Sequence, residues 1–163
     1  MTVSYRSLIQ GDQQILWEML HLAIFIPTGK EHPPRDVIFQ SHLALYVEDW
    51  GRPDDLGVLA LDEEIPVGAA WLRLIHGYGF VDVGIPELSI SVVPGYRGAG
   101  IGSRLLQKVI EQARKSYAAI SLSVSLDNPA VQLYERFGFK IVRKDDDTQV
   151  MLLDLEKATT DDD

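Results

Sequence analysis

Apolar positions along the chain change their spacing several times, and each change marks an element. Val3 to Leu8 is short and reads as a first strand. From Gln13 to Phe25 the residues Ile15, Leu16, Met19, Leu22 and Ala23 recur at helical spacing. This predicts a helix capped by Asp12 and stopped at Pro27. A second helical stretch is expected over Pro34 to Val47, with the proline in its first turn. The period then shortens. Asp55 to Asp62 and Ile65 to Ile75 read as strands joined by the acidic turn Asp62-Glu63-Glu64. Gly77 to Gly84 has no period. Glu87 to Val93 alternates, with Leu88, Ile90 and Val92 on one face and Glu87, Ser89 and Ser91 on the other. Pro94 ends that ladder, having no N–H to donate.

A long helix is expected over about Gly100 to Tyr117, with a stripe of Ile101, Leu105, Leu106, Val109, Ile110 and Ala113. Ala119 to Ser125 reads as a strand. Pro129 to Phe137 reads as a short helix closed by Gly138. Phe139 to Lys144 and Gln149 to Leu155 read as a final hairpin around the solvated turn Asp145-Asp146-Asp147. The order β α α β β β α β α β β alternates only in part. That predicts an α/β (α+β) protein with a mixed sheet and helices on both faces.

The turn between the fourth strand and the long helix carries the first chemical signal. Arg97-Gly98-Ala99-Gly100-Ile101-Gly102 opens the helix. The first N–H groups of a helix have no partner within it and lie at the positive end of its dipole, where a phosphate fits. Glycines let the backbone approach such a ligand. Arg97 lies in the loop itself, and Arg104 adds charge one turn on. No Lys-Ser/Thr pair follows the glycines, so the turn is not a P-loop. Position 103 is serine, so it is not a dinucleotide fingerprint either.

Composition narrows the classes. A chain of 163 residues, 46% hydrophobic and 24% charged, fits one globular domain. We expect it to span 1–158, followed by an acidic tail at 159–163. The net charge of −9 argues against nucleic-acid binding and mildly favours cationic partners such as amines. There is no cysteine, which removes disulfides, thiolate metal sites and cysteine nucleophiles. The four histidines, His21, His32, His42 and His76, have no metal-ligand spacing, and no metal is expected. Neither a basic, apolar leader nor a span of about 20 apolar residues is present, so a cytoplasmic location is expected.

Two segments together resemble the GCN5-related N-acetyltransferases. Val92-Val93-Pro94-Gly95-Tyr96-Arg97-Gly98-Ala99-Gly100-Ile101-Gly102 is similar to that family's Arg/Gln-x-x-Gly-x-Gly/Ala signature, matching at Arg97, Gly100 and Gly102. Asn128-Pro129-Ala130-Val131-Gln132-Leu133-Tyr134-Glu135-Arg136-Phe137-Gly138-Phe139 is similar to its Asn-x-x-Ala…Leu-Tyr-x-x-x-Gly-Phe segment. The resemblance covers about Pro66 to Leu155. It implies a sheet of six or seven strands that splays between the fourth and fifth, with acetyl-CoA in the opening. It further implies acetyl transfer to an amine by direct attack in a ternary complex. The pantetheine arm would pair with backbone near Val92 and Val93. The pyrophosphate would rest on N–H groups of Arg97, Gly98, Ala99, Gly100, Ile101 and Gly102, with Ser103. Tyr134 matches the tyrosine that protonates the leaving thiolate, and Glu87 sits where many relatives place a base. Asn128 would both cap the following helix and touch the pantetheine arm. The oxyanion donor would be the Val92 or Val93 N–H.

The acceptor stays open among small amines, antibiotics, amino acids, peptide N-termini and protein lysines, as does the choice between monomer and homodimer. A non-catalytic acetyl-CoA-binding module on the same fold is the alternative. His76, with Arg73 and Tyr78, would face the acceptor, and the loop Ile26 to Pro34 would line it. Trp17, Phe25 and Trp50 read as core.

Overall fold

A computed structural model describes residues 2–26, 29–31 and 33–156. Its centre is a seven-stranded sheet in the order β1-β2-β3-β4-β5-β7-β6. The strands are β1 (Val3–Ser7), β2 (Leu56–Asp62), β3 (Ile65–Arg73), β4 (Glu87–Val92), β5 (Ala119–Ser125), β6 (Lys140–Lys144) and β7 (Thr148–Asp154). Neighbours pair antiparallel except β4 and β5, which run parallel. The helices are α1 (Gln13–Ala23), α2 (Ser41–Ala44), α3 (Ile101–Ala113) and α4 (Ala130–Arg136). The mixed sheet with helices on both faces is as expected, and the expected tail at 159–163 lies outside the described residues.

The two-residue period of the strands divides the core in two. On one face Val58, Ala70, Leu72, Leu88, Ile120, Leu122 and Met151 meet the α3 stripe of Ile101, Leu105, Leu106, Val109, Ile110 and Ala113, all buried. On the other, Leu59, Ala69 and Trp71 meet Leu16, Met19 and Leu20 of α1, with Ile38, Val47 and Trp50. Removing side chains of this size from water contributes about 1.5–3 kcal/mol each.

Three local expectations are corrected. The segment expected as one helix over 34–47 splits into a 3₁₀ turn, Arg35–Phe39, and the single turn α2. Gln40 between them is extended, at φ −67° and ψ 142°. Val37-Ile38-Phe39, β-branched and aromatic, are weak helix formers. Asp12 does not cap α1 with its side chain. Its carboxylate instead accepts the Ile9 N–H at 2.8 Å and both terminal nitrogens of Arg6. Those donors hold its carboxyl below the usual range, the Arg6 hydrogen bonds first among them. Finally, α1 ends at Ala23 rather than Phe25, and Pro27 lies outside the described residues.

Candidate acetyl-transfer cleft

β4 and β5 share one parallel pairing, Glu87 with Ser121, closed by the Ser121 N–H donating to the Pro86 carbonyl at 3.0 Å. Beyond it the strands separate. Backbone groups alternate sides along a strand just as side chains alternate faces. The Val93 N–H donates to the Val67 carbonyl at 2.8 Å, so it faces β3. The backbone of Ile90 and Val92 therefore turns the other way, toward the gap. This removes the Val93 N–H as an oxyanion donor and leaves that of Val92. It also adds Ile90, which the sequence reading missed. The alternation of Leu88, Ile90 and Val92 was the available signal, because one period of two sets both directions.

The glycine turn forms the rim of the gap. After Pro94–Tyr96, a 3₁₀ turn, the chain reaches Gly98 and Gly100, at φ +82° and +81°. A side chain at Gly100 would meet nothing within 4 Å, so it is the left-handed backbone that requires glycine there. Gly100 is the N-cap of α3 and offers no side chain. The N–H groups of Ile101, Gly102 and Ser103 have no acceptor among the described residues. Gly98, Ala99 and Gly100 are exposed beside them. Gly102 has ordinary helical backbone. A Cβ there would stand 3.9 Å from Val92 Cγ2 and 3.8 Å from Leu133 Cδ2, so its bare Cα opens onto the space between β4 and α4. Arg97 is exposed, and its Nε donates to the Val92 carbonyl at 3.1 Å.

α4 closes the other side. Asn128 Oδ1 accepts the Ala130 N–H at 2.9 Å, which is the expected cap, and its NH₂ has no acceptor among the described residues. Tyr134 is buried against Phe139, with ring centroids 5.8 Å apart, and its hydroxyl has no hydrogen-bond partner among the described residues. Burial pushes that hydroxyl's pKa up to about 12. It therefore stays protonated at neutral pH.

Glu87 is no solvated strand end: it is 1% exposed. Its Oε1 accepts from the Tyr46 hydroxyl at 2.9 Å and the Gly79 N–H at 2.8 Å, and its Oε2 from the Gly77 N–H at 2.7 Å. Tyr46 in turn accepts the Tyr78 N–H at 3.0 Å. A Cβ on Gly77 would lie 2.5 Å from the Tyr46 hydroxyl, so only glycine lets the loop close over the carboxylate. Desolvation raises the Glu87 pKa above the ordinary carboxylate value, against the lowering effect of its three donors and of His76. Burial also raises that of Tyr46, helped by the Glu87 charge. Tyr46 was missed because its partners lie 41 and 32 residues away.

His76 stacks on Phe80 at 3.7 Å, and Tyr78 is exposed near His42. Arg73 does not face this cleft. It is 1% exposed, donates to Asp55 at 3.2 Å and the Leu45 carbonyl at 3.0 Å, and lies over Trp50. Of the loop 26–34, residues 27, 28 and 32 lie outside the described residues. Trp17 and Trp50 pack in the α1 core as expected, Trp50 buried and Trp17 in part. No group of three or more potential ligands that could hold a metal ion occurs among the described residues.

Known proteins share this fold. Residues 16–139 match the profile of the Acetyltransferase (GNAT) family. A mycothiol acetyltransferase of Arthrobacter sp. (strain FB24) is 31% identical over 145 residues, covering 84% of this chain and 42% of that protein. The chain thus spans less than half the length of that relative. An N-acetyltransferase from Staphylococcus aureus Mu50 superposes with a TM-score of 0.69 at 22% identity, over 95% of this chain and 99% of the other. The PaiA N-acetyltransferase from Thermoplasma acidophilum, solved in complex with coenzyme A, also gives 0.69, at 20% identity over 94% and 99% of the two chains.

Proposed function

The chain belongs to the acetyltransferase (GNAT) family, and we propose on that basis that it is an acetyl-CoA-dependent N-acetyltransferase in which an amine attacks the thioester directly. The observation that carries this reading is the gap that opens past the single Glu87–Ser121 pairing, with the unpaired N–H groups of α3 at its rim. The gap fits an extended thioester cofactor in three places. The Ile90 backbone can pair with an amide of a pantetheine arm in the manner of an added strand. The N–H groups of Ile101, Gly102 and Ser103 can take a pyrophosphate, with Arg97 adding charge. The NH₂ of Asn128 can meet the arm from α4.

Acetyl-CoA supplies the activated acetyl group, and the protein's residues do the rest. Glu87 takes a proton from the acceptor, so that a neutral amine attacks. Its raised pKa suits it to that exchange better than an ordinary carboxylate. The Val92 N–H stabilises negative charge on the carbonyl oxygen. Tyr134 donates to the sulfur as the C–S bond breaks. The absence of cysteine leaves no thiol to form an acyl-enzyme, which supports direct attack. Acceptor and cofactor held in one cleft gain further from proximity. No helix among the described residues is long and apolar enough to cross a membrane, and composition supports a cytoplasmic location.

The test is a thiol-release assay with acetyl-CoA over a panel of primary amines. Release that depends on the amine is expected. Acetyl-CoA binding without release on any amine would return the chain to a binding module, and no binding would defeat the proposal.

Tyr134→Phe provides a second check. A hydrogen bond to a charged group contributes about 1.5–3 kcal/mol, so kcat should fall at least tenfold. The acetyl-CoA dissociation constant, read by calorimetry, should stay within about twofold, because only the leaving sulfur needs the hydroxyl. Equal loss in both would mean that the ring merely packs.

A further inference from the structure

Ser121 stands in β5 at the one position paired with β4, opposite Glu87. Paired residues in neighbouring strands direct their side chains to the same face. Ser121 therefore lies on the acceptor side of the sheet beside the carboxylate. It is fully buried, and its hydroxyl has no hydrogen-bond partner among the described residues. An orphaned buried hydroxyl is costly where an alanine would pack equally well, and such groups are normally satisfied by an ordered water.

The neighbouring carboxylate has an acceptor site left for such a water. An ionised carboxylate offers about four acceptor sites. Here Oε1 is filled by Tyr46 and Gly79, while Oε2 receives only Gly77. One site on Oε2 therefore remains, on the residue paired with a serine whose hydroxyl has no partner among the described residues. The loop packs against β5 next to Ser121: a Cβ on Gly79 would stand 2.9 Å from both the Leu122 carbonyl carbon and the Ser123 nitrogen. A buried water needs two to four polar partners. Ser121 and Glu87 supply two, and an incoming amine supplies a third.

We propose that the Ser121 hydroxyl anchors the water through which Glu87 draws a proton from the acceptor amine, making Ser121 a positioning residue for acetyl transfer. This rests on the acetyltransferase reading and on Glu87 as its base. The water accepts one proton from the ammonium nitrogen as it gives another to Glu87 Oε2, so it is regenerated. The nitrogen lone pair then forms the C–N bond while the C–S pair leaves with sulfur, which takes the Tyr134 proton; the nitrogen's second proton, acidic once that bond has formed, passes to solvent, from which Tyr134 is reprotonated. Tyr46, from the segment after α2, and His76, from the loop, are the titratable groups that act on the Glu87 carboxyl; Arg73, paired with Glu87 across β3 and on the same face, is held by Asp55. All three remain in place in the variants below.

The test compares wild type, Ser121→Ala, Ser121→Thr, Glu87→Gln and the Glu87→Gln/Ser121→Ala double variant. Spermidine, glucosamine, lysine and tyramine serve as probe acceptors, and kinetics follow the one turned over fastest. Ser121→Ala should lower kcat about tenfold at neutral pH and move the rising limb of the kcat/KM profile to higher pH. The acetyl-CoA dissociation constant and melting temperature should hold. Ser121→Thr, which restores a hydroxyl, should recover most of the rate. The double variant should be no slower than Glu87→Gln, because both act on one proton path. A crystal structure of the wild type with coenzyme A should show a water between Oγ and Oε2, absent in Ser121→Ala. An unchanged rate and pH profile in Ser121→Ala, or no water at that place, overturns the proposal. If Glu87→Gln is unchanged as well, it is the base assignment that has failed.

Discussion

Glu87→Gln should cut kcat by about 10³-fold at pH 7, since a positioned general base contributes on the order of 10²–10⁴. The same carboxylate also ties β4 to Tyr46 and to the loop through Gly77 and Gly79, so loss of rate could reflect loss of structure alone. An NH₂ in place of one oxygen would face a donor, and the loop would loosen. Two readouts separate the cases. If Glu87 is the base, raising the pH toward the acceptor's own pKa, near 10.4 for an alkylamine, supplies neutral amine without it. The gap between variant and wild type should then narrow. A misfolded loop would stay slow at every pH. The second readout is stability. The folded pKa of Glu87 lies above its unfolded value, so the folded state holds the proton more tightly. This group's contribution is complete below the unfolded pKa, about 4.3, and is lost as pH rises through the raised folded value. Glu87→Gln should flatten the melting-temperature profile over that window. An unchanged pH–rate profile would end the assignment of Glu87 as base.

The double duty of Glu87 marks where the sequence stopped being legible. Periodicity placed it at the start of β4, on the face opposite Leu88, Ile90 and Val92, and the structure keeps that face. Nothing local revealed its burial, because the groups that bury it come from α2's C-terminal side and from an aperiodic loop. Gly77 and Gly79 were visible only as irregularity. Arg73 failed in the same way: it ends β3, but its partner Asp55 lies 18 residues away and draws it into the core. Elements set by their own period, such as the α3 stripe and β4's alternation, were readable. The second helix was not, because its apolar residues fit a helix while Val37-Ile38-Phe39 resist one. The glycine turn was readable because its chemistry is local. Strand end, left-handed glycine and uncapped helix follow one another within ten residues.

Gly102 gives that turn its sharpest test. Gly98 and Gly100 need glycine for their backbone, whereas Gly102 does not. An alanine there would make only ordinary contacts, 3.8 and 3.9 Å from Leu133 and Val92. By restricting the unfolded chain, Gly102→Ala should stabilise the protein by about 0.4–1 kcal/mol, which a melting curve would register as a rise. The added methyl nevertheless points into the space between β4 and α4 that the cofactor is proposed to fill. Acetyl-CoA binding should weaken while stability increases. Gly102→Leu carries this further. Its side chain would occupy the gap and keep a pyrophosphate from the Ile101, Gly102 and Ser103 N–H groups. A forced overlap costs about 1–3 kcal/mol, and lost hydrogen bonds add to it, so the dissociation constant should rise at least about 10²-fold. Far-ultraviolet dichroism and the melting temperature should show an intact fold, because α3 begins there and a helical first turn accepts leucine. If both variants bound acetyl-CoA as tightly as wild type, the cofactor would not lie across α3's first turn. The glycine would then need another explanation, because neither the backbone nor the packing of the free protein requires it.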